Sequence, residues 1–299
     1  MLAAAAAVVP ATAHAEAACT WTTTELQVPA GVHVSSLSGD GAGTLATSRW
    51  YDKVQAVWQQ DVPRTVTFPQ SRVVNGVDSA GAVISSTSSA AWRGDQSLEP
   101  LPGKTKVFAS AMNAGGDVLG TSGSSLAVWP AGSAVPQLLT GTNNGWWWTA
   151  RGLDNDGNAI ANVIAPASKE TGYVWDRQGV RAELQPVPGD WDVVPSVIHG
   201  GRIFGYSMPD NDFSNAHFVE WNLQGQIVRT HESEIWGANA AGDLLTVRQQ
   251  APEDWRHGVL RTDGRFEAFA AEFYPWSFTE SGDVYGTLNG DRVVKLRCA

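Results

Sequence analysis

The chain has 299 residues, 17% of them charged, with 31 glycines, 14 tryptophans and a formal charge of −10. That length suffices for a large buried core in one or two domains, and a charge-poor composition rich in Gly and Trp excludes a disordered chain and argues against a helical one. The negative balance disfavours nucleic acid and anionic membrane surfaces as partners, because both are gripped through basic patches.

The N-terminus reads MLAAAAAVVPATAHAEAAC, an apolar run from Leu2 to Val9 followed by Ala13-His14-Ala15, a small-x-small cleavage signal. The expectation is a signal peptide over residues 1–15, truncated in that no Lys or Arg precedes the apolar run, and one mature domain over residues 19–299. A start assigned too far downstream would account for the missing basic segment; an Ala-rich tail is the alternative. The two cysteines, Cys19 and Cys298, stand at the ends of the mature chain, and no CxxC or Cys/His zinc spacing exists. No later stretch of about 20 apolar residues calls for a transmembrane anchor, so a secreted monomer is expected.

From there a short turn recurs: LSGDG, DSAGA, NAGGD, NDGNA, HGGRI, AAGDL and ESGDV. Its glycines are Gly41, Gly81, Gly116, Gly157, Gly201, Gly242 and Gly282, spaced by 35 to 44 residues. Each precedes a strand-like run such as DVLGTS or RIFGYS. A third run ends on Trp58, Trp92, Trp129, Trp175 or Trp221, with Leu260 in the sixth copy, and a turn and a fourth run follow. Four short strands per unit, radially repeated, define an all-β, seven-bladed β-propeller of antiparallel blades. The last unit stops after its third strand, RVVKLRC, and the missing fourth is present at the start as CTWTTTELQVPAG. The N-terminal strand should therefore complete the seventh blade. A disulfide between Cys19 and Cys298 would then replace the covalent turn found in other blades, two free thiols being the alternative.

The segments SAMNAGGDVLGTS, GLDNDGNAIAN and AHFVEWNLQGQIV resemble the extracellular repeat family named for its His-Ala-Phe motif, over nearly the whole mature chain. His217, Phe218 and Trp221 echo the naming motif in altered order, and the other copies keep the Trp without the His-Phe pair. The resemblance implies a propeller-like array and export, and it supplies no catalytic residues.

In such a ring the turns between strands one and two, and three and four, share one face. The two-to-three loops and blade connections share the other, and here nearly all length variation falls on that second, loop face. Eight tryptophans map to it: Trp50, Trp146, Trp147, Trp148, Trp191, Trp236, Trp255 and Trp276, with Tyr51, Phe213, Phe273 and Tyr274. Trp148 is expected to enter a strand and be partly core, with Trp146 and Trp147 on the rim. Indoles offer flat apolar faces with an N–H at the edge. Trp146, Trp147, Trp191, Trp236, Trp255 and Trp276 are therefore the candidate stacking groups, with Asp192, Asp212 and Glu253 as polar partners, for a carbohydrate or an extracellular peptide. Loop packing is the bland alternative for any one indole. A glycoside hydrolase or lyase using two of those carboxylates, and a protein-interaction scaffold, are the rival functions.

Other chemistry finds little support. Asp154–Asn158, DNDGN, resembles a calcium loop in outline but lacks the distal Glu and occupies the ordinary repeat turn. PDND at 209–212 is a weak cation candidate. No G-x-S-x-G elbow and no phosphate-binding glycine loop occurs, and neither cofactor nor metal is expected.

Overall fold

A computed structural model describes residues 19–48, 52–164, 169–210, 212–251 and 253–298. The expected leader over residues 1–15, together with Trp50 and Tyr51, lies outside the described residues. Seven four-stranded antiparallel sheets form the expected propeller. Blade one runs from Leu37–Gly39 to Val62–Thr67, blade two from Val73–Val77 to Gln96–Ser97, and blade three from Val107–Met112 to Gln137–Leu138. Blade four runs from Trp147–Leu153 to Arg181–Glu183, blade five from Asp192–His199 to Ile227–His231, and blade six from Ile235–Ala238 to Phe266–Ala268.

Blade seven draws on both chain ends. Phe273–Phe278, Val284–Leu288 and Arg292–Cys298 supply three strands, and Trp21–Glu25 adds the fourth, with Trp21 opposite Cys298 and Glu25 opposite Val294. Cys19 and Cys298 are joined by a disulfide, their Cα atoms 5.4 Å apart.

Two recurrent glycines explain the sequence repeat. The seven turn glycines, Gly41 to Gly282, all have φ between +74° and +91°, a region closed to most L-residues. In six of the seven turns the opening residue's side chain accepts a backbone N–H of the turn; Asp40 Oδ1, for example, accepts from Ala42 (2.7 Å) and Thr44 (2.8 Å). Blade five differs because its tight His199–Arg202 hairpin leaves no room for the loop.

The second recurrent glycine lies mid-strand, at Gly120, Gly205 and Gly286. A Cβ there would overlap the carbonyl oxygen of Phe108, Val194 or Tyr274, next to bulges in the innermost strand at Ala109/Ala111, Pro195/Val197 and Pro275/Ser277.

The core is a ring of clusters between blades. Leu119 and Leu126 of blade three pack with Trp148, Ala161, Tyr173 and Trp175 of blade four, and Ile160 and Val174 of blade four pack with Val193, Ile203 and Trp221 of blade five. In four blades the tryptophan that ends the third strand fastens its blade to the one before. Trp58 Nε1 donates to Gln27 O (2.9 Å), Trp129 to Glu99 O (2.9 Å), Trp175 to Thr140 O (3.1 Å) and Trp221 to Gln185 O (2.7 Å). Each acceptor lies just beyond the fourth strand of the preceding blade. A fully buried indole needs that acceptor, and its burial stabilises by about 4–6 kcal/mol as an upper figure.

Trp92 departs from this set. It pairs with Ser85, whereas Trp58, Trp129 and Trp175 lie opposite the residue that opens the second strand and Trp221 lies opposite Ile203, one residue in. In blade two that position belongs to Gly94, whose N–H donates to Val83 O at 2.8 Å. The sequence repeat makes Trp92 equivalent to its counterparts; the register places it two residues short.

Candidate functional site

The loop face carries the exposed rings. Trp147 opens the first strand of blade four and is 80% exposed, Trp191 precedes that of blade five (54%), and Trp255 is the second residue of the third strand of blade six (58%). Phe108, Trp146, Phe213 and Tyr274 complete the set, from blades three, four, five and seven. Among the described residues, every exposed large aromatic lies on this face together with Ile164, while the other exposed aliphatics, Val62, Val135, Leu138, Val180 and Val228, lie on outer strands or their turns. Trp148 instead turns inward between Tyr173 (5.3 Å) and Trp175 (5.7 Å). Alternation along a strand separates the three neighbouring indoles.

Trp236 and Trp276 do not join the rim. Each is the extra residue of a bulge in an innermost strand, and both are half-buried. Trp236 meets His257 at 4.7 Å and Tyr274 at 5.5 Å, and Tyr274 meets Trp276 at 4.7 Å. On their other side the same indoles line a depression of about 490 Å³ at the centre of the turn face, ringed by Asp40, Asn113, Asp154, His199 and Glu280. They therefore plug the central channel. Burial pushes the His257 pKa down and the Tyr274 pKa up, the latter assisted by the charge of Glu234.

Two of the three candidate carboxylates are already engaged within the protein. Asp192 is 2% exposed and accepts the Glu170 N–H at 2.7 Å across the blade four–five junction. Glu170 in turn accepts from Asn162 (2.6 Å), whose carbonyl accepts from Arg151 Nε (2.6 Å). This network surrounds Tyr206, whose pKa is raised by burial and by Glu170, Glu234 and Asp192 against the opposing charge of Arg151. Asp212 caps the 3-10 turn Phe213–Asn215 by accepting from Ser214 N (2.9 Å), and that bond lowers its pKa. Glu253 is exposed on the two-to-three turn of blade six with φ +66°.

The repeat turn at Asp154 is fully employed within the protein. Its Oδ1 accepts from Asp156 N and Asn158 N, and its Oδ2 accepts from Asn158 Nδ2 and Gly201 N. Among the described residues, the one grouping of three metal-capable side chains is Cys19, Glu267 and Cys298, and two of those are the disulfide.

Sequence reading missed Arg151, Glu170 and Tyr206 as one polar group, since they come from the first and third strands of one blade and the second of the next. Arg72, described below, was missed for the same reason.

No family model matches the sequence, and no curated protein is detectably similar to it. Among solved structures, a chain of the mitotic checkpoint complex is 10% identical with a TM-score of 0.54, covering 99% of this chain and 96% of that one. A protein assigned as TolB from Agrobacterium tumefaciens is 13% identical with a TM-score of 0.44, covering 79% of this chain and 94% of that one. At such identities the likeness concerns the fold alone. The fold and face define the class: a seven-bladed β-propeller with an aromatic loop face.

Proposed function

We propose that the chain is an exported, non-catalytic binding protein that takes up a carbohydrate or an extracellular peptide on the aromatic loop face of its propeller. The observation that carries this reading is the segregation of exposed rings: Trp147, Trp191 and Trp255 present open indoles on one face. Exposed apolar rings gathered on one face mark an interaction surface, and flat rings with a polar edge suit sugar rings and peptide side chains. Their places at strand ends fix their positions on a rigid scaffold.

Binding is favoured over hydrolysis by the engagement of two of the three candidate carboxylates: Asp192 is buried and serves the Glu170 N–H, and Asp212 caps a turn through the Ser214 N–H. The disulfide supports export, since such bonds persist in oxidising compartments. Membership of the secreted His-Ala-Phe repeat family is part of the same proposal, resting on the repeated turn-strand segments.

The test is a glycan array and a polysaccharide pull-down of the mature protein, run beside a peptide library. The expected result is retention by one ligand class, weakened at least tenfold in a variant combining Trp147→Ala, Trp191→Ala and Trp255→Ala. Retention by nothing, or undiminished retention by the folded triple variant, would overturn the reading.

A further inference from the structure

Arg72 immediately precedes the first strand of blade two and is only 7% exposed. Buried guanidinium groups are normally paired and hydrogen-bonded throughout, and the neighbouring Arg93 shows how this chain does it. At 8% exposure, Arg93 donates through Nη1 to Gly116 O (2.8 Å) and Pro130 O (2.9 Å), and through Nη2 to Gln96 Oε1 (2.9 Å) and Ser133 O (2.7 Å). Arg72 has nothing comparable. Its side chain makes one long bond among the described residues, from Nη1 to Ser85 Oγ at 3.4 Å, and its Nε has no partner. No carboxylate of the described residues lies within 4.0 Å of it.

Stacking holds Arg72 in place. The guanidinium carbon lies 3.6 Å from the ring centre of Trp92 and 5.1 Å from that of Phe68. Trp92 is there because it stands two residues short of the position its counterparts occupy. The stack contributes cation–π attraction, but it leaves the in-plane N–H donors unanswered. Burial lowers the arginine's pKa, with Asp95 opposing, yet a guanidinium stays charged in proteins. The charge is therefore fixed, and among the described residues its Nε lacks an acceptor and its Nη1 has only the long bond to Ser85.

The same side chain lines a cavity of about 310 Å³ that opens on the loop face between blades two and three. Ser71, Ser86, Thr87 and Ser88 are among its lining residues, and Val73 and the exposed Phe108 ring bring apolar surface. A fixed cation short of acceptors, hydroxyl groups and one open ring, in a volume at the small end of ligand sites, make a coherent chemistry. We infer that this cavity is an oxyanion-binding site for a carboxylate or sulfate carried on a ligand no larger than one sugar ring, with Arg72 as its anchor. Charge-assisted bonds to the guanidinium would supply the missing acceptors, and Phe108 would cover the ring of an acidic sugar. The site lies apart from Trp147, Trp191 and Trp255 and does not depend on them.

The test is calorimetric titration of the mature, disulfide-intact protein with sodium glucuronate, sodium sulfate, sodium acetate and glucose at matched ionic strength. Saturable binding of glucuronate or sulfate, with none of glucose, is the expected result. Arg72→Met and, separately, Ser88→Trp, which fills the mouth and leaves the guanidinium alone, should each weaken it by about 10- to 100-fold, the worth of one or two charge-assisted bonds. Should Arg72→Met fail to fold, Ser88→Trp and the wild-type titration decide. Glucuronate bound more tightly than sulfate and acetate identifies an acidic sugar, and equal binding of all three identifies a free anion on the same arginine. The Trp147/Trp191/Trp255 triple variant should keep this binding, which separates the site from the broader loop-face reading. No saturable response to any anion up to ~50 mM, or undiminished binding by folded variants, would overturn the inference.

Discussion

Replacing Cys19 and Cys298 together by Ser removes the covalent link and leaves every other contact of the seventh blade in place. The disulfide closes a sequence separation of 279 residues. In the chain-entropy treatment, forbidding so long a loop from opening in the unfolded state stabilises by about 5–6 kcal/mol. For a chain of this size each kcal/mol is worth roughly 2–3 °C, so the melting temperature should fall by about 10–18 °C. The fold should persist at room temperature, because Trp21–Glu25 still pairs along five residues with Arg292–Cys298 and the Trp21 ring packs edge-on against Phe269 at 5.1 Å. Thermal unfolding followed by near-ultraviolet circular dichroism measures the loss. Hydrogen exchange should show that amides of Trp21–Glu25 lose protection first, since the freed terminal strand then opens locally. An unchanged melting temperature, with those amides as protected as before, would refute the idea that the bond closes the ring.

Further predictions follow from the packing. Glu220 is 4% exposed and accepts from Arg202 Nε (2.8 Å), Arg229 Nε (2.6 Å) and His231 Nε2 (3.1 Å). These bonds outweigh the desolvation of its carboxylate and hold its pKa far below the ordinary range. A depressed carboxylate pKa stabilises fully above the unfolded value near 4.5, and that contribution drains away as pH falls further toward the folded value. Glu220→Gln should therefore cost roughly 3 kcal/mol at pH 7, the low end for a broken buried pair because Arg229 can rehydrate. Denaturant titrations should show the difference from wild type shrinking progressively below about pH 4.5.

Gly205→Ala should destabilise by about 1–3 kcal/mol because its Cβ collides with Val194 O. Gly115→Ala, where the Cβ meets only Asn113 Oδ1 at 3.4 Å, should stay within about 0.5 kcal/mol in the same assay. Trp147→Ala, Trp191→Ala and Trp255→Ala should each change stability by less than about 0.5 kcal/mol. Trp236→Ala and Trp276→Ala should each cost about 2 kcal/mol, half the usual figure for a core aromatic because both are half-buried.

The architecture was legible in the sequence for physical reasons that particular residues display. A turn that needs positive φ every blade leaves a glycine every blade, from Gly41 to Gly282. A buried indole that needs the previous blade's carbonyl leaves a Trp at the same strand end. Ring closure was readable because blade seven lacked a strand at one terminus and the other supplied it. What stayed hidden depends on single-residue register and on neighbours from different blades. A bulge swings Trp236 and Trp276 from the rim into the channel, and no local pattern marks it. The same holds for Trp92, whose repeat-like context conceals a two-residue offset, and for Arg72, whose partners Phe68, Ser85 and Trp92 are scattered along the chain. For the carboxylates the residue type alone suggested polar partners, while Asp192 proved to be an acceptor for a backbone amide of the adjoining blade.

The most direct test of the loop face as the binding surface is a hydrogen-exchange footprint of the protein with and without the glycan or peptide it retains. Protection should appear around residues 146–149, 190–193, 253–257 and 273–276, with the turns at 40–44, 154–158 and 239–243 unchanged. Protection confined to those turns, or absent from blades four to seven altogether, would contradict the account.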